Sequence, residues 1–181
     1  MDEIALEAQG RMNKTIDALR SNLATLRTGR ASPAIVAGVE IDYYGSMTPI
    51  SQISSITIPE PRQLLIKPYD KNDVKSIVSA INASNLGLNP INEGTVVRLI
   101  IPALTQERRI EITKQAKKYG EEAKVAIRNI RRDYMDLVKE DDSMSEDYQK
   151  RATEDIQKVT DEAIKNIDNV VSEKEKEIMT I

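Results

Sequence analysis

The apolar positions of residues 3–28 recur at helical spacing. Met12, Ile16, Leu19, Leu23 and Leu26 are separated by 4, 3, 4 and 3 residues, which places them on one stripe of a helix. Asp2, Glu3 and Glu7 sit near its start, where acidic side chains favour the helix dipole. Gly29 suits a left-handed position after the helix, and Pro33 is a further stop. At the standard rise this helix is about 39 Å long.

The period then changes. Val39, Ile41 and Tyr43 alternate with Glu40 and Asp42, as in a half-buried strand, and Gly45-Ser46 supplies a turn. Tyr43 and Tyr44 fall on opposite faces, and strand or core roles suit both. Short apolar runs follow at Ile53, Ile56 and Ile58, then at Leu64, Leu65 and Ile66, broken by Pro59 and Pro61. Residues 73–83 read as a helix with Val74, Ile77, Val78 and Ile81 on one face, capped by Asn72 or Asp73. Residues 85–94, with Gly87, Pro90 and Gly94, read as a loop. Residues 96–101 read as a strand ended by Pro102.

From Thr105, a good N-cap, the helical period returns. Ala116, Gly120, Ala123, Ile127, Ile130, Tyr134 and Leu137 form a heptad seam. That helix reaches about residue 140, and 141–145 is a polar turn. Ser143 with Glu146 fits a capping box, and Ser145 is an equal candidate for the cap. A third helix over about 146–178 carries Ile156, Val159, Ala163, Ile167 and Val170 on its seam. No such stripe is stable alone in water, so the three helices must cover one another.

The pattern therefore predicts an α+β fold. Residues 1–30 and 104–181 form an elongated three-helix bundle, and residues 31–103 an inserted small β/α/β domain. The chain leaves the bundle once and returns once. Gly29, Arg30, Ala31, Ser32 and Pro33 on one side, and Pro102, Ala103, Leu104 and Thr105 on the other, make a candidate hinge.

Composition narrows the chemistry. The 181 residues include no Cys and no His. Disulfides, thiolate metal sites and cysteine nucleophiles are thereby excluded. So are histidine general bases and the serine–histidine triad. No carboxylate spacing stands out, so no catalytic residue, metal site or cofactor is assigned. Gly87, Gly94 and Asn89-Pro90 lack the lysine signature of a phosphate loop. The acidic N-terminus has no apolar run behind it, and no stretch approaches a membrane span. A cytoplasmic protein without membrane contact is the expectation.

The net charge of −3 conceals an asymmetry. Residues 105–139 carry a net of +4 and residues 140–181 a net of −7. Charge distribution of this kind governs partner choice more than the total does. With Lys117 at angle zero on the second helix, Lys124 falls at about 340°, Arg128 at about 20°, Arg131 at about 320°, and Lys114 and Arg132 at about 60°. The apolar seam occupies roughly 200–300°. The cations thus line a stripe beside the seam, interrupted by one acid, Glu121, and Arg108 and Arg109 extend it lengthwise. Such a row tracks a phosphate backbone and suits RNA read by shape. The plainer alternative is a solvated face with pairs such as Lys117–Glu121.

The motifs on these elements resemble the bacterial ribosome recycling factor family. The resemblance rests on Leu26-Arg27-Thr28-Gly29-Arg30-Ala31-Ser32-Pro33, Tyr43-Tyr44-Gly45, Leu86-Gly87-Leu88-Asn89-Pro90 and Leu104-Thr105 with Glu107-Arg108-Arg109. It continues through 125–133 (Val-Ala-Ile-Arg-Asn-Ile-Arg-Arg-Asp) and 174–179 (Lys-Glu-Lys-Glu-Ile-Met), so it spans the whole chain. It implies an L-shaped molecule with a flexible hinge and no enzymatic activity. It implies that, with elongation factor G and GTP hydrolysis, the protein splits the post-termination ribosome and frees it from mRNA. The bundle would then hold large-subunit ribosomal RNA through Arg128, Arg131 and Arg132, Arg131 above all. With Lys124, Lys117 and Arg109 from the cation stripe, these are the expected RNA-binding residues. Elongation factor G would push on the inserted domain. A monomer is expected, because three seams in one chain satisfy one another. Two other readings stand beside this one. A structural helical-bundle scaffold would oligomerise through its seams, and an enzyme built on Lys or carboxylates has no motif to support it.

Overall fold

A computed structural model describes residues 1–180, so Ile181, the last residue of the expected bundle range, lies outside the described residues. The chain divides into two compact units. One comprises Met1–Thr28 with Gln106–Thr180, the other Gly29–Thr105.

The first unit is a bundle of α1 (Glu3–Ala24), α4 (Gln106–Glu140) and α5 (Glu146–Thr180). Asp2 caps α1, its carboxylate accepting from the Ile4 amide at 2.9 Å. The helix stops at Ala24, short of the expected 28. The Thr25 hydroxyl donates to the Asn22 carbonyl at 2.6 Å and the Leu26 amide to the Leu23 carbonyl at 3.1 Å. These bonds close the last turn, so Gly29, at φ 80°, serves the chain beyond the helix rather than its cap. Ser145 caps α5, accepting from the Tyr148 amide at 3.2 Å. The Ser143 hydroxyl instead donates to Asp141, which settles the two alternatives for that cap.

The seams meet as expected except at Leu26, which lies past the end of α1 and is only half-buried, and at one position of α4. Met12, Ile16, Leu19 and Leu23 of α1, Ala116 to Tyr134 of the α4 seam, and Ile156 to Val170 of α5 are buried. Leu137 is not: it is 57% exposed, and Met135 and Val138 are buried in its place. A straight helix with 3.6 residues per turn drifts about 20° per heptad against a strict seven-residue repeat. After Tyr134 the drift has carried position 137 off the seam and brought 138 onto it.

The second unit is built on a four-stranded antiparallel sheet of order β3-β4-β6-β5. Its strands are β3 (Ser54–Glu60), β4 (Gln63–Pro68), β5 (Pro90–Asn92) and β6 (Val97–Ile100). A hairpin of β1 (Glu40–Tyr43) and β2 (Ser46–Pro49) and the helices α2 (Ile50–Ile53) and α3 (Val74–Ala83) complete it. Leu64, Ile66, Val97 and Leu99 of the sheet share a buried cluster with Val74, Ile77 and Ile81 of α3 and with Ile41 and Ile50.

Three local expectations change here. Residues 90–92 form an edge strand rather than loop, because β6 supplies its pairing and Pro90, lacking an N–H, is tolerated at an edge. Ile53 ends a short helix rather than a strand; the Ser54 hydroxyl donates to the Ile50 carbonyl at that helix's end. Tyr44 leaves the strand for the hairpin turn. It lies at φ 50° beside Gly45 at φ 85°, the pair of left-handed residues that a tight hairpin needs. Tyr44 is 88% exposed, while Tyr43 packs against the core.

Candidate nucleic-acid interface

The cation stripe lies on α4, and its scaffold is the seam beneath it. Ile127 and Ile130 are buried on either side of Arg128, and Tyr134 lies beyond Arg131 and Arg132. Tyr134 is itself tied to α1, its hydroxyl donating to Glu7 at 3.1 Å and its ring lying 5.7 Å from the Arg11 guanidinium.

The six sequence-predicted RNA-binding residues separate into two groups. Lys117, Arg128 and Arg132 are exposed, and among the described residues none of them pairs with a carboxylate. Glu121, the acid expected opposite Lys117, turns instead to Lys124 at 3.6 Å. The other three lean onto α5. Lys124 Nζ meets Asp168 at 2.6 Å and its side chain is 19% exposed. Arg131 Nε donates to Gln157 Oε1 at 2.7 Å. Arg109 Nη1 donates to the Met179 carbonyl at 3.1 Å, in the last turn of α5.

Helical geometry explains the division around the stripe. Lys124 and Arg131 lie at the edge of the seam and Arg109, at about 280° by the same count, lies within it, so all three fall within reach of the neighbouring helix. Lys117, Arg128 and Arg132 lie further round, towards solvent. The Asp168 carboxylate raises the pKa of Lys124, chiefly through their hydrogen bond, with Coulomb attraction adding to it and partial burial opposing it. Arg108, in the first turn of α4 and on the side away from Lys117, pairs with Glu111 at 2.8 Å.

Sequence reasoning missed the α5 partners. Gln157 and Asp168 lie outside the α5 seam that the apolar spacing picks out, and no motif marks them. It also gave Gly120 no role beyond its place in the seam. Gly120 lies against Val171 and, with Lys117, Lys124, Asp168, Ser172 and Glu175, lines a cleft of about 380 Å³ between α4 and α5.

The expected hinge residues are largely built into the second unit. Ala31 is buried and its amide donates to the Pro61 carbonyl at 2.8 Å. The Ser32 hydroxyl accepts from Ala34 at 3.3 Å, and Pro33 opens a short 3₁₀ turn. Arg30, Pro102, Ala103 and Thr105 are exposed and Leu104 is half-buried. A β-carbon on Gly29 would lie 3.4 Å from Leu104 Cγ and 3.7 Å from the Pro102 carbonyl oxygen, so the two crossing segments run side by side.

Among the described residues no three carboxylates converge on a metal position, and no helix is long and apolar enough to cross a membrane. The site offers fixed cations and hydrogen-bond donors on a stiff helix, a surface suited to phosphate.

The family model for ribosome recycling factor matches residues 19–179. The chain belongs to the ribosome recycling factor family. The ribosome-recycling factor of Staphylococcus carnosus is 51% identical over the full length of both chains. That of Clostridium tetani is also 51% identical over the full length of both. A solution structure of a ribosome recycling factor shares 42% identity at a TM-score of 0.74, covering 99% of this chain and 97% of its own. A second similar structure, at 44% identity and TM-score 0.59, covers 98% of this chain and 97% of its own. It is a model of the T. thermophilus ribosome recycling factor, presented with E. coli elongation factor G bound to the E. coli post-termination complex. The family is one of translation factors, not enzymes, and its members recycle ribosomes.

Proposed function

We propose that this protein, with elongation factor G and GTP hydrolysis, splits the post-termination ribosome into subunits and releases it from mRNA, and that its bundle holds large-subunit ribosomal RNA through one face of α4. The observation that carries the RNA contact is the set of three cations, Lys117, Arg128 and Arg132, that pair with no carboxylate among the described residues, beside an Arg131 whose guanidinium is held in place. Arginine forks bind phosphate oxygens bidentately, and a row of cations follows a charged backbone. The recycling factor of T. thermophilus, presented with elongation factor G on the post-termination complex, supports the choice of partners.

No covalent chemistry is required of the chain. A stiff bundle gripping RNA transmits force received by the other unit. The chain crosses between the units at two places, Thr28–Gly29 and Thr105–Gln106, and we assign the hinge to these crossings, at the outer ends of the expected stretches 29–33 and 102–105. The protein acts as a monomer in the cytoplasm, because its three seams bury one another and ribosomes are its target.

A subunit-splitting assay with elongation factor G and GTP tests this reading, with wild type set against Arg131→Ala. Wild type splits the ribosome and the variant does so weakly while keeping its fold. On the large subunit alone, each lost phosphate contact lowers the salt slope by about 0.7–0.9. Absence of splitting by wild type defeats the proposal, and an unchanged slope in the variant removes Arg131 from it.

A further inference from the structure

Of the three cations tied to α5, Lys124 and Arg131 are held by side chains, and the chemistry of these two ties differs. Lys124 is bound by a carboxylate, Asp168, at 2.6 Å, which cancels its charge locally. Arg131 is bound by an uncharged amide, Gln157, at 2.7 Å, which leaves its charge whole. The amide is itself fixed. Gln157 Nε2 donates to Asp161 Oδ1 at 2.9 Å, one turn along α5, so the amide oxygen is the atom that faces Arg131.

A guanidinium carries five N–H donors. Gln157 takes the one on Nε. Among the described residues Nη1 and Nη2 have no protein partner, so the end-on fork of the group stays open. That fork matches two oxygens of a phosphate. A free arginine must give up much of its rotamer freedom to make such a contact. Here the ordering is done in advance, by a partner on another helix.

We infer that Gln157, oriented by Asp161, is a positioning residue that presents the end-on fork of Arg131 to a ribosomal RNA phosphate. This rests on the reading of α4 as the RNA-binding face and deepens it. An acceptor whose task was to stabilise the bundle would do better as a carboxylate, which binds a guanidinium more strongly. A neutral acceptor orients the cation without competing for its charge.

The test is binding of the full-length protein to large ribosomal subunits, measured across a salt series, with the Arg131 Nε–Hε signal followed by NMR on the free protein. Gln157→Met keeps the length of the side chain and removes the acceptor. It weakens binding about 2- to 10-fold, the range expected from ordering one rotamer-rich side chain. It also moves the Nε–Hε signal to the position of a solvated arginine. In an Arg131→Ala background the same substitution changes nothing, because the group it orients is gone. Asp161→Asn retains an acceptor for the Gln157 amide and binds more tightly than Asp161→Ala, although both remove the same charge. Equal losses from Gln157→Met with and without Arg131 overturn the inference and leave the RNA face intact. An Arg131→Ala protein that binds as wild type overturns both. Should Gln157→Met fail to fold, the Asp161 pair decides alone: equal affinities for Asn and Ala overturn the inference.

Discussion

A β-carbon built on Gly120 would stand 2.7 Å from Cγ2 of Val171. Carbon atoms pack best at about 3.5–4.0 Å, so the crossing of α4 and α5 is set by the missing side chain. Val171 is β-branched and has one strongly preferred rotamer in a helix, which leaves it little room to yield.

Gly120→Ala therefore destabilises the bundle. Overpacking costs about 1–3 kcal/mol, and better helix propensity returns about 1 kcal/mol, for a net loss of about 1 kcal/mol. Adding Val171→Ala relieves the clash, so the double variant loses less than the two singles predict. Urea denaturation measures all four proteins. A Gly120→Ala protein more stable than wild type contradicts the close approach.

Asp168→Asn removes the nearer of the two carboxylates that hold Lys124 and leaves Glu121 at 3.6 Å. The lysine pKa, raised by this carboxylate, moves back down towards its ordinary value, which NMR of the Nζ resonance follows. The sign follows from the direction. A raised lysine pKa stabilises the fold below the ordinary lysine value, about 10.4, and that contribution disappears as pH rises through the raised one. Near neutrality the variant loses at most about 0.5–1 kcal/mol, since Asp168 is well exposed. Under the proposed function it binds the large subunit more tightly, with a steeper salt dependence, because one carboxylate fewer holds Lys124. Weaker binding with the fold intact counts against a phosphate-facing α4.

In the second unit, Arg98 bridges Glu93 at 2.7 Å and Gln63 at 2.7 Å across the sheet. The Arg98 hydrogen bond lowers the Glu93 pKa; desolvation opposes it, and a smaller Coulomb attraction acts in the same direction as the hydrogen bond. A depressed carboxylate pKa stabilises the fold above its ordinary value of 4.5, and this is lost as pH falls through the lowered one. Carboxyl NMR should show Glu93 titrating below the exposed glutamates, and Arg98→Met should return it to their range. Titration of Glu93 with the others in wild type contradicts the bridge.

Arg109 closes the end of α5, where carbonyl groups lack helical partners and a cation is favoured by the dipole. Arg109→Ala should fray the last turn. Amide exchange quickens over residues 176–180 while Ile156 to Val170 keep their protection, and global stability falls by about 0.5–1.5 kcal/mol. Unchanged exchange in that turn removes the capping role.

Much of this molecule is legible locally. The 4-3 spacing of Met12 to Leu23 and of Ile156 to Val170 names side chains that are buried, because the seam of a helix is a property of the helix alone. The inserted unit reads less well. Pro90–Asn92 is a strand because β6 pairs with it, and three residues bounded by turns carry no period of their own. Leu137 shows the same limit inside a helix: a heptad projected too far loses the true pitch.

By itself the sequence determined three amphipathic helices, the small α+β unit that interrupts them, and the grouping of cations on one side of the second long helix. Each is written in spacing between near neighbours, where backbone geometry turns sequence distance directly into direction. Which cations stay free was decided by the tertiary structure alone. Arg131 and its acceptor Gln157 are 26 residues apart, on different helices. Lys124 meets Asp168 across the same helix pair. Partners this far along the chain meet only after packing has chosen the helix crossing, and at Gly120 that crossing depends on a side chain that is absent.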